Sequence, residues 1–283
     1  MGLLDGLGFS GLKKLEKANI YEEPAKEKAQ DAVKAAPVVK ETDFLFDKSY
    51  DCPVCGEKIK ARTLRAGKAR LIRSDMDLRP VYENIEPLKY DPVVCPKCGY
   101  SALARYFSTI LSNQVKEVKE NICQSFQGNI KEQEAYSYED ALYRYKLCLA
   151  NAIVKKAKAS EKAYICLKAG WLLRSYQENL QASQEETDPK KLEELKAQEQ
   201  EFLQNAMEGF FAARQTESYP MCGMDETTVD YLSAVLAMEH GQLDVASRII
   251  STIITSPSAN ARMKDRARDV KETILTKMKE KNA

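Results

Sequence analysis

Cys52-Pro53-Val54-Cys55-Gly56 and Cys95-Pro96-Lys97-Cys98-Gly99 decide how the first folded part of this chain is built. Each is a knuckle: proline narrows the backbone's choices, glycine admits a left-handed turn, and the turn aims amide hydrogens at the paired sulfurs. Two knuckles supply four thiolates, the donor set of a tetrahedral zinc site formed by Cys52, Cys55, Cys95 and Cys98. Four protein ligands leave no open coordination position, so Zn2+ held there ties strands together and does not serve as a Lewis acid. The competing use of these thiols is a redox sensor, with a CxxC pair exchanging disulfides or both pairs releasing zinc on oxidation. Two matching pairs favour the metal.

The 39 residues between the inner cysteines exceed the ~15–20 of a short zinc ribbon. They begin with the alternation Lys58-Ile59-Lys60-Ala61-Arg62 and continue through Ala69-Arg70-Leu71-Ile72-Arg73, which predicts two short strands. Arg79-Pro80, Glu86-Pro87 and Asp91-Pro92 then impose turns or extended chain before Val93-Val94 leads into the second knuckle. Lys58, Lys60, Arg62, Arg65, Lys68, Arg70 and Arg73 form a basic run without an acid, which gives nucleic-acid binding as an alternative function. No aromatic residues are interleaved to stack on bases. Asp75 and Asp77 fall on one side of an extended chain and offer a hard cation two carboxylates. With no histidine nearby, turn capping or pairing with Arg73 and Arg79 is the expected use. A cleft around Asp75, Asp77 and Tyr82 holding an ion is what an enzyme reading requires.

After Gly99 the apolar period lengthens from two residues to about 3.6. Leu103, Phe107, Ile110, Leu111, Val118 and Ile122 predict a first long helix, and others are expected near 130–156, 160–182, 188–215, 225–240, 243–255 and 260–281. Ala141, Tyr145 and Cys148, and more clearly Ala234, Gly241, Ala246 and Ile250, carry a tetratricopeptide flavour without holding a 34-residue register. Cys123, Cys148, Cys166 and Cys222 sit at spacings that suggest no metal site and are read as small buried apolar residues. His240, just before Gly241, is read as a structural helix terminus, and Trp171 as core.

Met1 to Ile20 spaces Leu4, Leu7, Leu12 and Leu15 along a helical stripe beside Lys13, Lys14 and Lys17, a possible membrane-surface contact through residues 1–20. Its four glycines each cost about 1 kcal/mol in a helix interior, which favours a leader that frays or docks on its own domain. The expected fold is α+β and mainly α. Residues 1–43 form an amphipathic leader and flexible tether, 44–100 a zinc-ribbon-like module with β-strands, and 101–283 an array of about seven helices, tetratricopeptide-like in part.

Lys and Arg (43) nearly cancel Asp and Glu (42), so no global field draws the chain to nucleic acid or acidic lipid. One histidine makes histidine-based acid–base or nucleophilic catalysis a poor fit, and no glycine-rich phosphate loop is present. Helix-pair arrays expose long grooves, so the expected function is a non-enzymatic, zinc-binding scaffold or adaptor for a protein partner in the cytoplasm.

The stretches Asp75-Met76-Asp77-Leu78-Arg79-Pro80-Val81-Tyr82, Pro87-Leu88-Lys89-Tyr90 and Val94-Cys95-Pro96-Lys97-Cys98-Gly99-Tyr100-Ser101-Ala102 resemble a bacterial family, Domain of Unknown Function 2225. The resemblance runs from about Phe44 to the C-terminus and includes the first knuckle and the helix pair from Tyr231-Leu232 to Ala246. Glu86-Pro87 stands where that family usually has Asn-Pro, so no role of that asparagine is carried over. The resemblance implies a cytoplasmic bacterial protein with paired CPxCG knuckles followed by helices, and it supplies no activity.

Overall fold

The computed structural model describes residues 40–128, 130, 133–183 and 188–282. The leader and most of the tether lie outside the described residues. Val39–Ala283 form one compact unit. Among the described residues, three two-stranded antiparallel sheets precede seven α-helices, the expected α+β, mainly α class.

Each knuckle is the tip of a hairpin. β1 (Leu45–Asp51) and β2 (Lys58–Leu64) flank the first, pairing Tyr50 with Ile59 and Asp51 with Lys58. β2 alternates as its sequence demands, with Ile59 and Ala61 inward and Lys58 and Lys60 outward. Between the knuckles, β3 (Leu71–Ser74) pairs with β4 (Pro80–Tyr82) across an irregular register. β5 (Pro92–Val94) and β6 (Ser101–Leu103) flank the second knuckle.

Strand β6 corrects the expectation of a helix running from Leu103. Leu103 pairs with Pro92, and Leu103 and Phe107 are fully buried. Their four-residue spacing reflects two separate insertions into the core and not a helical stripe. The helix α1 spans only Ser112–Val118 and continues as a π-helical turn, Lys119–Cys123. The next helix also starts later than expected, α2 being Tyr138–Val154, where Ser137 caps the end by accepting from the Asp140 amide at 3.1 Å.

The remaining helices lie close to their expected limits: α3 Ala159–Ala182, α4 Pro189–Thr216, α5 Glu226–Glu239, α6 Leu243–Thr255 and α7 Ala261–Asn282. Asp188 caps α4 through the Lys190 amide, with Pro189 at the first helical position, where its missing N–H costs nothing. α3 and α4 form a close hairpin. A Cβ at Gly209 would meet the Ala163 Cβ at 2.8 Å and Cα at 3.3 Å, so only glycine permits that approach. α5, α6 and α7 pack through small and branched residues, with Ala234, Ala237, Ala246, Ile250, Ala267 and Val270 buried. His240 is the C-cap of α5, with its ring nitrogens against the carbonyls of Leu236 and Gln200, the structural terminus expected of it. No helix among the described residues is long and apolar enough to cross a membrane.

Candidate metal centre

The two hairpin tips bring the sulfurs of Cys52, Cys55, Cys95 and Cys98 within 4.8 Å of one another, an arrangement that could hold a metal ion. Cys52 Sγ lies 3.7 Å from Cys98 Sγ, and Cys55 Sγ 3.6 Å from Cys95 Sγ. A tetrahedron with metal–sulfur bonds of ~2.3 Å has edges of about 3.8 Å, so the pairs across the two knuckles already match that size. All eight cysteines are free thiols.

The backbone is arranged for the sulfurs. Gly56 N–H closes on the Cys52 carbonyl at 2.9 Å and Gly99 N–H on the Cys95 carbonyl at 3.0 Å. The amides of Val54 and Cys55 point at Cys52 sulfur, those of Lys97 and Cys98 at Cys95, and that of Tyr100 at Cys98. Such donors favour thiolate and disperse its charge. Gly99 adopts φ +76°, and a Cβ there would strike the Phe126 ring at 2.5 Å. Conformation and space therefore both demand glycine.

The knuckles share one core. Tyr50, Val54, Ile59, Val93, Tyr100 and Phe107 surround the cysteines, with Tyr50 edge-on to Phe107 and the Tyr100 hydroxyl donating to the Phe107 carbonyl. Asn151 of α2, fully buried, donates to the Gly99 carbonyl at 3.1 Å and ties the second knuckle to the helices. Hydrogen bonds from Cys52 and Cys98, helped by the amides, hold Cys95 far below an ordinary thiol, whereas Cys52, whose proton is shared toward Cys95, is pushed up to about 12. Four thiols within 4.8 Å of one another, buried or half-buried and served by amide donors, fit a soft or borderline cation.

Asp75 and Asp77 form a different structure. Asp77 is fully buried and accepts from Trp171 Nε1 at 2.9 Å, Arg174 Nη1 at 2.8 Å and the Arg79 amide at 3.3 Å. Asp75 pairs with Arg73 and, at 2.6 Å, with Arg79 Nε. Buried Arg79 reaches on to Ser175 Oγ at 2.8 Å and Glu178 at 2.5 Å, while Arg174 also binds Glu199 at 2.7 Å. The carboxylates are thus satisfied by arginines and an indole, the pairing expected over a cation. Together they lock the β3–β4 turn onto α3. Sequence reading finds Asp75, Asp77 and Arg79 but not Arg174, Ser175, Glu178 and Glu199, which lie about a hundred residues away. Trp171 is core, as expected, and only contact geometry shows its N–H used.

Glu239 stands at the edge of this network, 4.0 Å from Arg174, and burial followed by repulsion from Asp77 lifts it to about 7. Tyr82 lines a cleft of about 860 Å³ with Glu86, Lys89, Tyr138 and Tyr176; Ser175 and Glu178, the partners of Arg79, line it too, whereas Asp75 and Asp77 do not. Glu86 accepts from the Leu88 amide at 3.1 Å, a capping duty that a side-chain amide oxygen also performs.

Four arginines of the basic run have partners of their own. Arg62 pairs with Asp47 at 3.2 Å, Arg65 donates to the Leu45 carbonyl, Arg70 meets Glu83 at 3.5 Å and Arg73 binds Asp75. Lys58 and Lys60 are exposed on β2, opposite Asp51 and Ser49.

Fold and site together define a helical protein whose N-terminal hairpins converge on four cysteines. The chain belongs to the family described as "Uncharacterized protein conserved in bacteria (DUF2225)", which it matches over residues 45–274. It is 32% identical over 91 residues to an "Uncharacterized protein" of Borreliella burgdorferi (strain ATCC 35210 / DSM 4680 / CIP 102532 / B31), a match covering 29% of this chain and 32% of that protein. No solved structure matches.

Proposed function

We propose that this protein is a non-enzymatic scaffold of the cytoplasm in which one Zn2+, held by Cys52, Cys55, Cys95 and Cys98, clasps two hairpins while the helical part binds a protein partner. The observation that carries the metal is the sulfur geometry, with 3.6 and 3.7 Å between cross-knuckle pairs. The bound ion would supply cross-linking and no reaction, since all four positions are filled by protein. Eight free thiols suit a reducing compartment.

The partner reading rests on a groove of about 630 Å³ beside α4, α5 and α6. Its lining combines apolar Phe211, Tyr219, Val245 and Ile249 with Arg248, Glu226 and Arg214, the last paired with Asp230 at 2.7 Å. A tetratricopeptide-like helix pair, α5 and α6, forms one wall. An amphipathic segment laying its apolar face into the groove is the ligand this chemistry suits. The expected outcome is that a partner recovered with the wild-type chain is lost with Ile249→Glu at unchanged far-UV circular dichroism. Equal recovery by both chains would remove the groove from the account.

A further inference from the structure

The cleft of about 860 Å³ lined by Tyr82 serves neither the metal site nor the partner groove. Its size falls within the ~300–1,000 Å³ of small-molecule sites. β4 supplies Tyr82, Glu86 caps the turn Pro87–Tyr90 that carries Lys89, α2 opens with Tyr138 and Glu139, and α3 presents Ser175, Tyr176 and Glu178. The walls are held from behind. The Tyr138 and Tyr176 rings stack at 4.9 Å with 4° between their planes, and Arg79 donates to Ser175 Oγ at 2.8 Å and to Glu178 at 2.5 Å. Side chains locked in this way lose little freedom when a ligand arrives.

Charge and hydrogen bonding in the cleft lean one way. Glu41, Glu86, Glu139 and Glu178 line it, against one cation, Lys89. Three of the four carboxylates are occupied: Glu41 holds Lys89 at 2.6 Å, Glu178 holds Arg79, and Glu139 receives the Tyr176 hydroxyl and stands 3.8 Å from Lys191. Glu86 makes no ion pair among the described residues, and the Leu88 amide at 3.1 Å engages only its Oε1. Burial pushes its carboxyl up, and Ser175, the Leu88 amide, Arg79 and Lys89 offset only part of that. A cation brought beside it would pull it back down. The hydroxyls of Tyr82 and Tyr138 have no hydrogen-bond partner among the described residues.

We propose that this cleft binds an aliphatic primary ammonium, carried by a free diamine or by a lysine side chain, with Glu86 as its counter-ion and the hydroxyl oxygens of Tyr82 and Tyr138 as further acceptors. An ammonium spreads three donors around a compact charge, and a carboxylate with two phenols answers all three. A guanidinium would call for both carboxylate oxygens in a bidentate pair, and Oε1 of Glu86 is already engaged. The Lys89 ammonium lies 5.1 Å from the Tyr138 ring centroid, so this wall already carries a cation on an aromatic face. Val81 and Ile85 give a methylene chain an apolar surface to lie against.

The test is isothermal titration calorimetry of the purified full chain with diaminopentane, with Nα-acetyl-lysine methylamide and with pentanediol, the uncharged counterpart of the diamine. The expected result is saturable binding of at least one amine and none of the diol. The amine that binds more tightly identifies the source, a free diamine or a protein side chain. Glu86→Gln keeps an oxygen for the Leu88 amide and should weaken amine binding about tenfold, the loss of one charge-assisted hydrogen bond. Hydrogen–deuterium exchange on the wild-type chain locates the site without any variant: the bound amine should slow exchange in peptides covering 82–90 and 172–180. No binding of either amine, equal binding of the diol, unchanged affinity in folded Glu86→Gln, or protection confined to other peptides would overturn the proposal. None of these results depends on metal content or on the groove at Ile249, so the cleft stands or falls separately from the scaffold reading.

Discussion

Asp77 shows how much one side chain can hold in place. Its carboxylate is fully buried and receives an indole, a guanidinium and a backbone amide, so removing it strands three donors together. Asp77→Ala should destabilise the fold by roughly 3–5 kcal/mol, the usual result of breaking one side of a buried charged network. Urea unfolding measures this, and a loss below about 1 kcal/mol would mean that the network is not a clasp. Glu239, at the rim of the same network, gives a pH signature. Burial raises it from 4.5 to about 7, so between those values the folded protein holds a proton that the unfolded chain has released. Its stabilising contribution is present below about pH 4.5 and is lost as pH rises through 7, with Asp77, Arg174, Glu199 and His240 as the charges around it. Glu86 and Asp230, also raised by burial, act with the same sign. Relative to Glu239→Gln, the wild-type chain should therefore lose stability as pH rises from 5 to 8; parallel pH profiles for the two proteins would contradict the assignment.

Among elements, α3 fits closely against α4. Alanine at Gly209 improves helix propensity by about 1 kcal/mol, yet its Cβ would stand 2.8 Å from the Ala163 Cβ, with backbone behind it. The helices must part, and Gly209→Ala should cost about 1–3 kcal/mol net in chemical denaturation, whereas a stabilised variant would show that the hairpin is looser than described. The elements also show what a sequence can disclose. α3 to α7 were legible because long apolar periods, the break at Asp188-Pro189 and the turn at Gly241 are local signals. β6 was not, because Leu103 and Phe107 are apolar for a reason that lies across the fold, in the core around the knuckles and the helix α2. The π turn at Lys119–Cys123 was equally hidden, since no residue type marks an i to i+5 hydrogen bond. The four knuckle cysteines could be read from spacing alone.

At the scale of the whole molecule, the hairpins are too small to stand alone: each sheet has two strands, and such ribbons are marginal in water. Several contacts attach them to the helices, among them the Asn151 bond to Gly99, the Asp77 network onto α3, the Lys168–Asp91 ion pair and the Tyr145 hydroxyl donating to the Leu88 carbonyl at 2.9 Å. The two knuckles are joined by their shared core, by the Lys97–Glu57 ion pair at 2.6 Å and by the sulfur cluster, and four thiols without a cation offer only weak S–H···S bonds at its centre. The central claim is therefore that a metal closes the cluster, and metal analysis by inductively coupled plasma mass spectrometry on the purified, dialysed full chain tests it most directly. The account predicts about one zinc per chain, lost in the Cys95→Ser, Cys98→Ser double variant together with the near-ultraviolet signal of the folded hairpins; a wild-type chain that carries no metal and is fully folded would contradict it.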